Sequence, residues 1–151
     1  MGTNKAKGTA FESAVVKLFE ECGFVTCRRV VMHGSSGDQG DLWIGPEPNN
    51  PTMIIECKSR KTEVAYKGIE DFIKEAHTEY LNATKKTEVP NTNALVFLKR
   101  PNLGIKDGYI IWKNEQNITV RARIGDILNK ENFQCCDSDA HRISKLIQML
   151  I

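Results

Sequence analysis

The amino-acid sequence predicts an α/β protein with a mixed central β-sheet flanked by helices, in the order α-β-β-β-α-β-β, followed by a C-terminal strand/helix extension. Three observations carry this prediction. Apolar residues recur at three- and four-residue spacing in two long stretches, the mark of amphipathic helices. Short apolar runs bounded by Gly, Pro and Asn lie around them, as strands do. The second helical stretch separates two strand-like runs, and a helix between neighbouring strands makes a crossover, so part of the sheet is parallel.

Residues 8–22 carry Phe11, Ala14, Val15, Leu18 and Phe19 at helical spacing, and Gly23 stops the helix. Residues 24–32, rich in valine, form the first strand and run into His33-Gly34-Ser35-Ser36-Gly37-Asp38-Gln39-Gly40, too glycine-rich for a regular element. Asp41-Leu42-Trp43-Ile44 opens the second strand and Met53-Ile54-Ile55-Glu56-Cys57-Lys58 closes the third, with a loop over residues 45–51 between them. The unbroken apolar run 53–55 predicts a strand covered on both faces. Residues 66–85 form the second helix, with Ile69, Phe72, Ile73, Ala76 and Leu81 at helical spacing, before the turn Val89-Pro90-Asn91. Residues 94–98 and 109–112 are the next strands, the second of them preceded by the turn signal Lys106-Asp107-Gly108. In the extension, residues 118–124 predict a further strand. Residues 139–150 predict a terminal helix with Ile143, Leu146, Ile147 and Leu150 on one face, capped by Asp137 or Ser138.

Length suits a single domain over residues 1–151, its core at about residues 8–113 and the extension at about 114–151. With 40% hydrophobic residues the chain buries a normal core. No apolar stretch approaches the roughly 20 residues of a membrane span, and Met1-Gly2-Thr3-Asn4-Lys5 lacks the apolar core of a signal peptide. A soluble intracellular protein without a membrane partner is expected, in the cytoplasm or nucleoid, or in host cytoplasm if its source is viral. Five cysteines, an odd count with no repeated CxxC pair, read as reduced thiols. Neither Cys135-Cys136 nor Cys22 with Cys27 has the partner spacing of a zinc site, so no zinc is expected. A net charge of +2, from 21 basic and 19 acidic residues, does not by itself advertise nucleic-acid binding. Local clusters must supply any phosphate contacts, and Arg28, Arg29, Arg60 and Lys61 lie beside the residues that suggest chemistry.

Those residues are Asp41 and the pattern Glu56-Cys57-Lys58. If the second and third strands pair antiparallel, Asp41 and Glu56 sit at the same end of the pair. Side chains alternate along a strand, so Glu56 and Lys58 share one face and Cys57 takes the other. Two adjacent carboxylates repel unless a proton or cation intervenes. Hard oxygen ligands with no His or Cys beside them on that face suit Mg²⁺ or Mn²⁺ better than Zn²⁺, and the arrangement suits phosphate chemistry.

The order Asp41, Glu56-x-Lys58 resembles the PD-(D/E)xK nuclease superfamily, with Gly-Asp in place of Pro-Asp. Within it the chain is most similar to the archaeal-type Holliday junction resolvases. That likeness rests on Gly8-x-x-x-Glu12, a hydrophobic helix ending near Gly23-Phe24, an arginine-bearing strand, a Gly-Ser loop, Gly40-Asp41 and Ile55-Glu56-Cys57-Lys58-Ser59, and it covers about residues 8–112. It implies a restriction-endonuclease-like core and a Mg²⁺ ion, replaceable by Mn²⁺, held by Asp41, Glu56, the backbone carbonyl of Cys57, and Glu12. It also implies that Lys58 either orients the attacking water or neutralises the phosphate. Glu12, Asp41, Glu56, Lys58 and Ser35 are the implied catalytic residues, and Arg28, Arg29, Ser36, Arg60 and Lys61 the implied DNA contacts. Ser35 lies farther from Arg29 than the family's serine lies from its arginine, so Ser35 and Ser36, and Arg28 and Arg29, stay alternatives at those two positions. The implied activity is paired nicking of branched DNA, the four-way junction, by a homodimer, leaving 5′-phosphate and 3′-hydroxyl ends. The alternatives are a restriction-like or repair endonuclease on duplex or damaged DNA, and a non-catalytic DNA-binding protein.

Overall fold

The computed structural model of the chain describes residues 4–30 and 40–151. Six strands form one sheet in chain order: β1 (Cys27–Arg29), β2 (Leu42–Ile44), β3 (Met53–Ser59), β4 (Ala94–Lys99), β5 (Tyr109–Lys113) and β6 (Thr119–Arg123). β3 and β4 run parallel, and every other neighbouring pair is antiparallel. The parallel pair follows from the crossover helix α2 (Tyr66–Thr84), because a hairpin turn cannot join parallel strands. The fold is therefore the mixed α/β sheet that the sequence predicts.

Helix α1 (Asn4–Glu21) packs Phe11, Val15, Leu18 and Phe19 onto one face of the sheet, against Leu42, Ile44, Met53 and Ile55. Helix α2 packs Phe72, Ile73, Ala76 and Tyr80 onto the other, against Ile54, Val96 and Ile111. Met53, Ile54 and Ile55 are thus all buried, Met53 and Ile55 towards α1 and Ile54 towards α2, as a doubly covered strand requires. Gly23, with φ of +99°, ends α1: its N–H donates to the Glu20 carbonyl and that of Phe24 to the Phe19 carbonyl, the paired bonds of a Schellman stop.

The first strand is shorter than expected. Phe24 inserts between Phe19 and Phe133, with ring centroids 5.1 and 5.2 Å away. The N–H groups of Val25 and Thr26 donate to the Asp139 carboxylate at 2.8 to 3.1 Å, so they are lost to the sheet ladder and pairing starts only at Cys27. The predicted residues 31 and 32 of that strand, and the loop residues His33, Ser35 and Ser36, lie outside the described residues.

β6 and helix α5 (Asp139–Leu150) stand where the extension predicts a strand and a helix, and Ser138 is the cap, accepting from the His141 N–H at 3.1 Å. Two four-residue helices precede it, α3 (Ile124–Ile127) and α4 (Lys130–Phe133), each too short to show helical periodicity in sequence. The apolar face of α5 offers no bare partner surface. Ile143, Leu146 and Leu150 join the same core cluster as α1, and the Trp112 indole N–H donates to the Leu150 carbonyl at 2.6 Å. Among the described residues no helix is long and apolar enough to cross a membrane.

Candidate active site

Strand register brings the predicted pair together. Leu42 pairs with Ile55, so Asp41 sits beside Glu56; the Asp41 N–H donates to the Ile55 carbonyl at 3.1 Å, and the Cys57 N–H donates to Asp41 Oδ2 at 2.7 Å. That register depends on the β2–β3 turn. Gly45 has φ of +152°, and a Cβ there would stand 2.7 Å from the Thr52 nitrogen. Arg28 closes the same turn: its guanidinium donates to the carbonyls of Thr26, Gly45, Glu47 and Pro48 at 2.8 to 3.2 Å, which turns it away from the carboxylates.

Glu56 is 3% exposed, and its Oε2 has no hydrogen-bond partner among the described residues. Burial, followed by the adjacent carboxyls of Asp41 and Glu79, pushes its pKa far above the ordinary carboxylate range. Without a cation beside it, Glu56 is a neutral acid. Glu12 reaches the group from α1. Its pKa is raised by burial and then by the charge of Asp41, while Arg29, whose Nε lies 3.6 Å from Glu12 Oε1, pulls the other way. The Cys57 thiol points to the α1 side, and burial, followed by the charges of Asp41 and Glu12, pushes its pKa well above the ordinary value.

Lys58 lies on the Glu56 face of β3. Its ammonium is 2.8 Å from Glu75 Oε2 and 5.1 Å from the Phe72 ring centroid. Burial alone would lower its pKa, but the hydrogen bond to Glu75 and the charge of Glu75 outweigh it, so the net shift is upward and Lys58 is a cation. Arg60 packs on the same ring at 5.2 Å. Arg60 and Lys61 border a cleft of about 720 Å³ between α1 and the ends of β3 and β4, with Phe11, Ala14 and Lys99 among its other lining residues.

The structure therefore assembles Glu12, Asp41, Glu56, Cys57 and Lys58, with Arg29, Arg60 and Lys61 around them, and commits Arg28 elsewhere. Two acidic residues were not foreseen, Glu75 and Glu79 on α2. Glu56, Glu75 and Glu79 each present an oxygen within 4.8 Å of the other two, and Glu79 is 1% exposed. One signal for Glu79 is present in the sequence: it falls on the stripe of Phe72, Ala76 and Ala83, a carboxylate where helical spacing calls for an apolar side chain. Glu75 carries no such mark.

An all-oxygen donor set around a buried carboxylate with an orphaned oxygen fits a hard divalent cation.

A family model described as Restriction endonuclease, Mrr_cat, matches residues 3–92, more than half of the chain, and spans every acidic residue of the site and Lys58. No curated protein and no solved structure matches.

Proposed function

Because the chain belongs to the restriction endonuclease family Mrr_cat, a divalent-metal-dependent nuclease family acting on DNA, we propose that Glu12, Asp41, Glu56 and Lys58 are its catalytic group and that it nicks four-way DNA junctions in pairs as a homodimer. The observation that carries the catalytic assignment is the register of β2 on β3, with Asp41 beside Glu56 and Lys58 two residues further along the same face. Asp41, Glu56, Glu12 and the Cys57 carbonyl would hold a Mg²⁺ ion, which Mn²⁺ would replace. When bound, such an ion acidifies water and offsets charge on the scissile phosphate.

The chain's own residues supply the rest. The Cys57 N–H fixes one oxygen of Asp41 and so orients its carboxylate. Lys58, on the Glu56 face of β3, would either orient the attacking water or neutralise charge on the phosphate. Arg60, Lys61 and Lys99 would supply cations to the DNA backbone around the cleft, and Arg29 would do so beside Glu12. Ser35 and Ser36, expected to serve catalysis and DNA contact, belong to the same proposal but lie outside the described residues. Arg28 is left to stabilise the β2–β3 turn.

The junction substrate is supported by the joint order in sequence of Glu12, Gly34-Ser35, Asp41 and Glu56-x-Lys58. Two strands of a junction must be cut symmetrically, and a two-fold dimer presents two sites in that relation. The description of the family favours a second reading, cleavage of linear duplex. A cleavage assay in Mg²⁺ on an immobile junction, a splayed arm and a linear duplex of the same sequence separates them. Paired symmetric nicks confined to the junction are expected. Cutting of the linear duplex selects the second reading, and survival of all three substrates in both Mg²⁺ and Mn²⁺ rejects catalysis. Glu56→Ala and Asp41→Asn should each lower cutting by a factor on the order of 10³ while sparing DNA binding.

A further inference from the structure

The carboxylates of α2 have no part in the group just described, yet they meet it at Glu56. On one side Glu56 faces Asp41; on the other it faces Glu79, with Glu75 completing a triangle of oxygens no more than 4.8 Å apart. Glu56 and Glu79 are almost wholly buried, whereas the Glu75 side chain is 39% exposed and marks the way in from solvent. The Lys58 ammonium lies 2.8 Å from Glu75 Oε2, at the more exposed corner of this triangle. Asp41, Glu75 and Glu79 thus all crowd the buried Glu56 carboxyl. Buried carboxyls so close together require protons or cations. The orphaned Glu56 Oε2 is a buried acceptor for which no protein donor stands among the described residues.

We propose that Glu56, Glu75 and Glu79 form a second divalent-cation subsite, joined to the Asp41 site through Glu56 as a bridging carboxylate. This rests on the reading of Asp41 and Glu56 as metal ligands and adds α2 to it. A cation entering past Glu75 draws that carboxylate from Lys58 and releases the ammonium towards the phosphate, so loading of the subsite and readiness of Lys58 are coupled. The triangle is closed on the sheet side, and Mg²⁺ dehydrates reluctantly, which makes Mn²⁺ the better probe.

The test is a titration of the full-length, cation-free chain with Mn²⁺ alone, without DNA, counting bound ions from the loss of the free-ion paramagnetic resonance signal. Two ions per chain are expected, with a coupled spectrum, since carboxylate-bridged ions lie roughly 3.5–4 Å apart. Glu79→Gln, close to isosteric, and Glu75→Gln, at a half-exposed position, should each reduce the count from two to one and abolish the coupling; thermal melting of the cation-free variants verifies that they fold. A count that both glutamine variants leave unchanged overturns the subsite. A single ion that is lost in Asp41→Asn and kept in both variants overturns the subsite and leaves the Asp41 site standing, whereas no bound ion in the unaltered chain removes both.

Discussion

A carboxyl raised as far as that of Glu56 binds a proton in the folded chain that it releases in the unfolded one. Its contribution to stability is complete below its ordinary value of 4.5 and declines as pH rises from there. The melting temperature of the cation-free protein should fall between pH 5 and pH 8 for this reason. Added Mn²⁺ should raise it more at pH 8 than at pH 5, because cation binding displaces the proton. Glu56→Gln should flatten both dependences, and a cation effect independent of pH would contradict the assignment. Lys58→Gln should lower the cleavage rate by a factor on the order of 10² to 10³ without weakening Mn²⁺ binding, since it frees Glu75; stopped-turnover assays and the Mn²⁺ titration measure the two separately. At this scale Asp41, Glu56 and Lys58 were legible because a strand's alternation fixes which side chains meet. Glu12 was legible only through resemblance to a family. Glu75 was hidden because an exposed-looking helical glutamate announces no partner, and Arg28 misled because a basic pair does not reveal which of its members is already hydrogen-bonded to backbone.

The helices and strands were legible wherever an apolar period was long enough to read, and their ends were set by contacts remote in sequence. β1 begins late because Asp139, more than a hundred positions away, takes the N–H groups of Val25 and Thr26. Asp139 also accepts from the Thr26 hydroxyl and from Arg142, and these bonds lower its pKa although burial acts in the opposite direction. Asp139→Asn, which exchanges an acceptor for a donor there, should cost about 2–3 kcal/mol, read as a lower denaturant midpoint with an unchanged slope. α2 is tied to the far side of the sheet by Glu70, which accepts from the Lys113 ammonium at 2.8 Å and from the Thr119 hydroxyl. The Lys113 bond, then that of Thr119, holds the Glu70 pKa at about 2. Being depressed, it stabilises the fold above the ordinary glutamate value, and that support is lost as pH falls towards 2. Glu70→Gln should therefore lower stability at neutral pH and flatten the acid limb of the stability profile between about 4.5 and 2.

Across the whole molecule, the residues matched to the nuclease family end at position 92, before β4, β5, β6 and α5. The order of the sheet was readable from the crossover. That the last helix belongs to the core was not, because an amphipathic pattern declares an apolar face without saying what will cover it. Ile143, Leu146 and Leu150 are each at most 5% exposed. At about 2 kcal/mol per buried side chain their loss costs on the order of 6 kcal/mol, comparable with the whole stability of a domain of this size. A chain ended after Cys136 should show no cooperative thermal transition, and a sharp melt would refute this account. The parallel pairing of β3 with β4 also has a consequence in time. The β2–β3 hairpin needs only its own short turn, so Asp41, Glu56 and Lys58 meet early, but β4 reaches β3 only after residues 60–93 have crossed the sheet. Such long-range closure is slow. The acidic residues of α2, which lie within that crossover, therefore reach Glu56 later than Asp41 does.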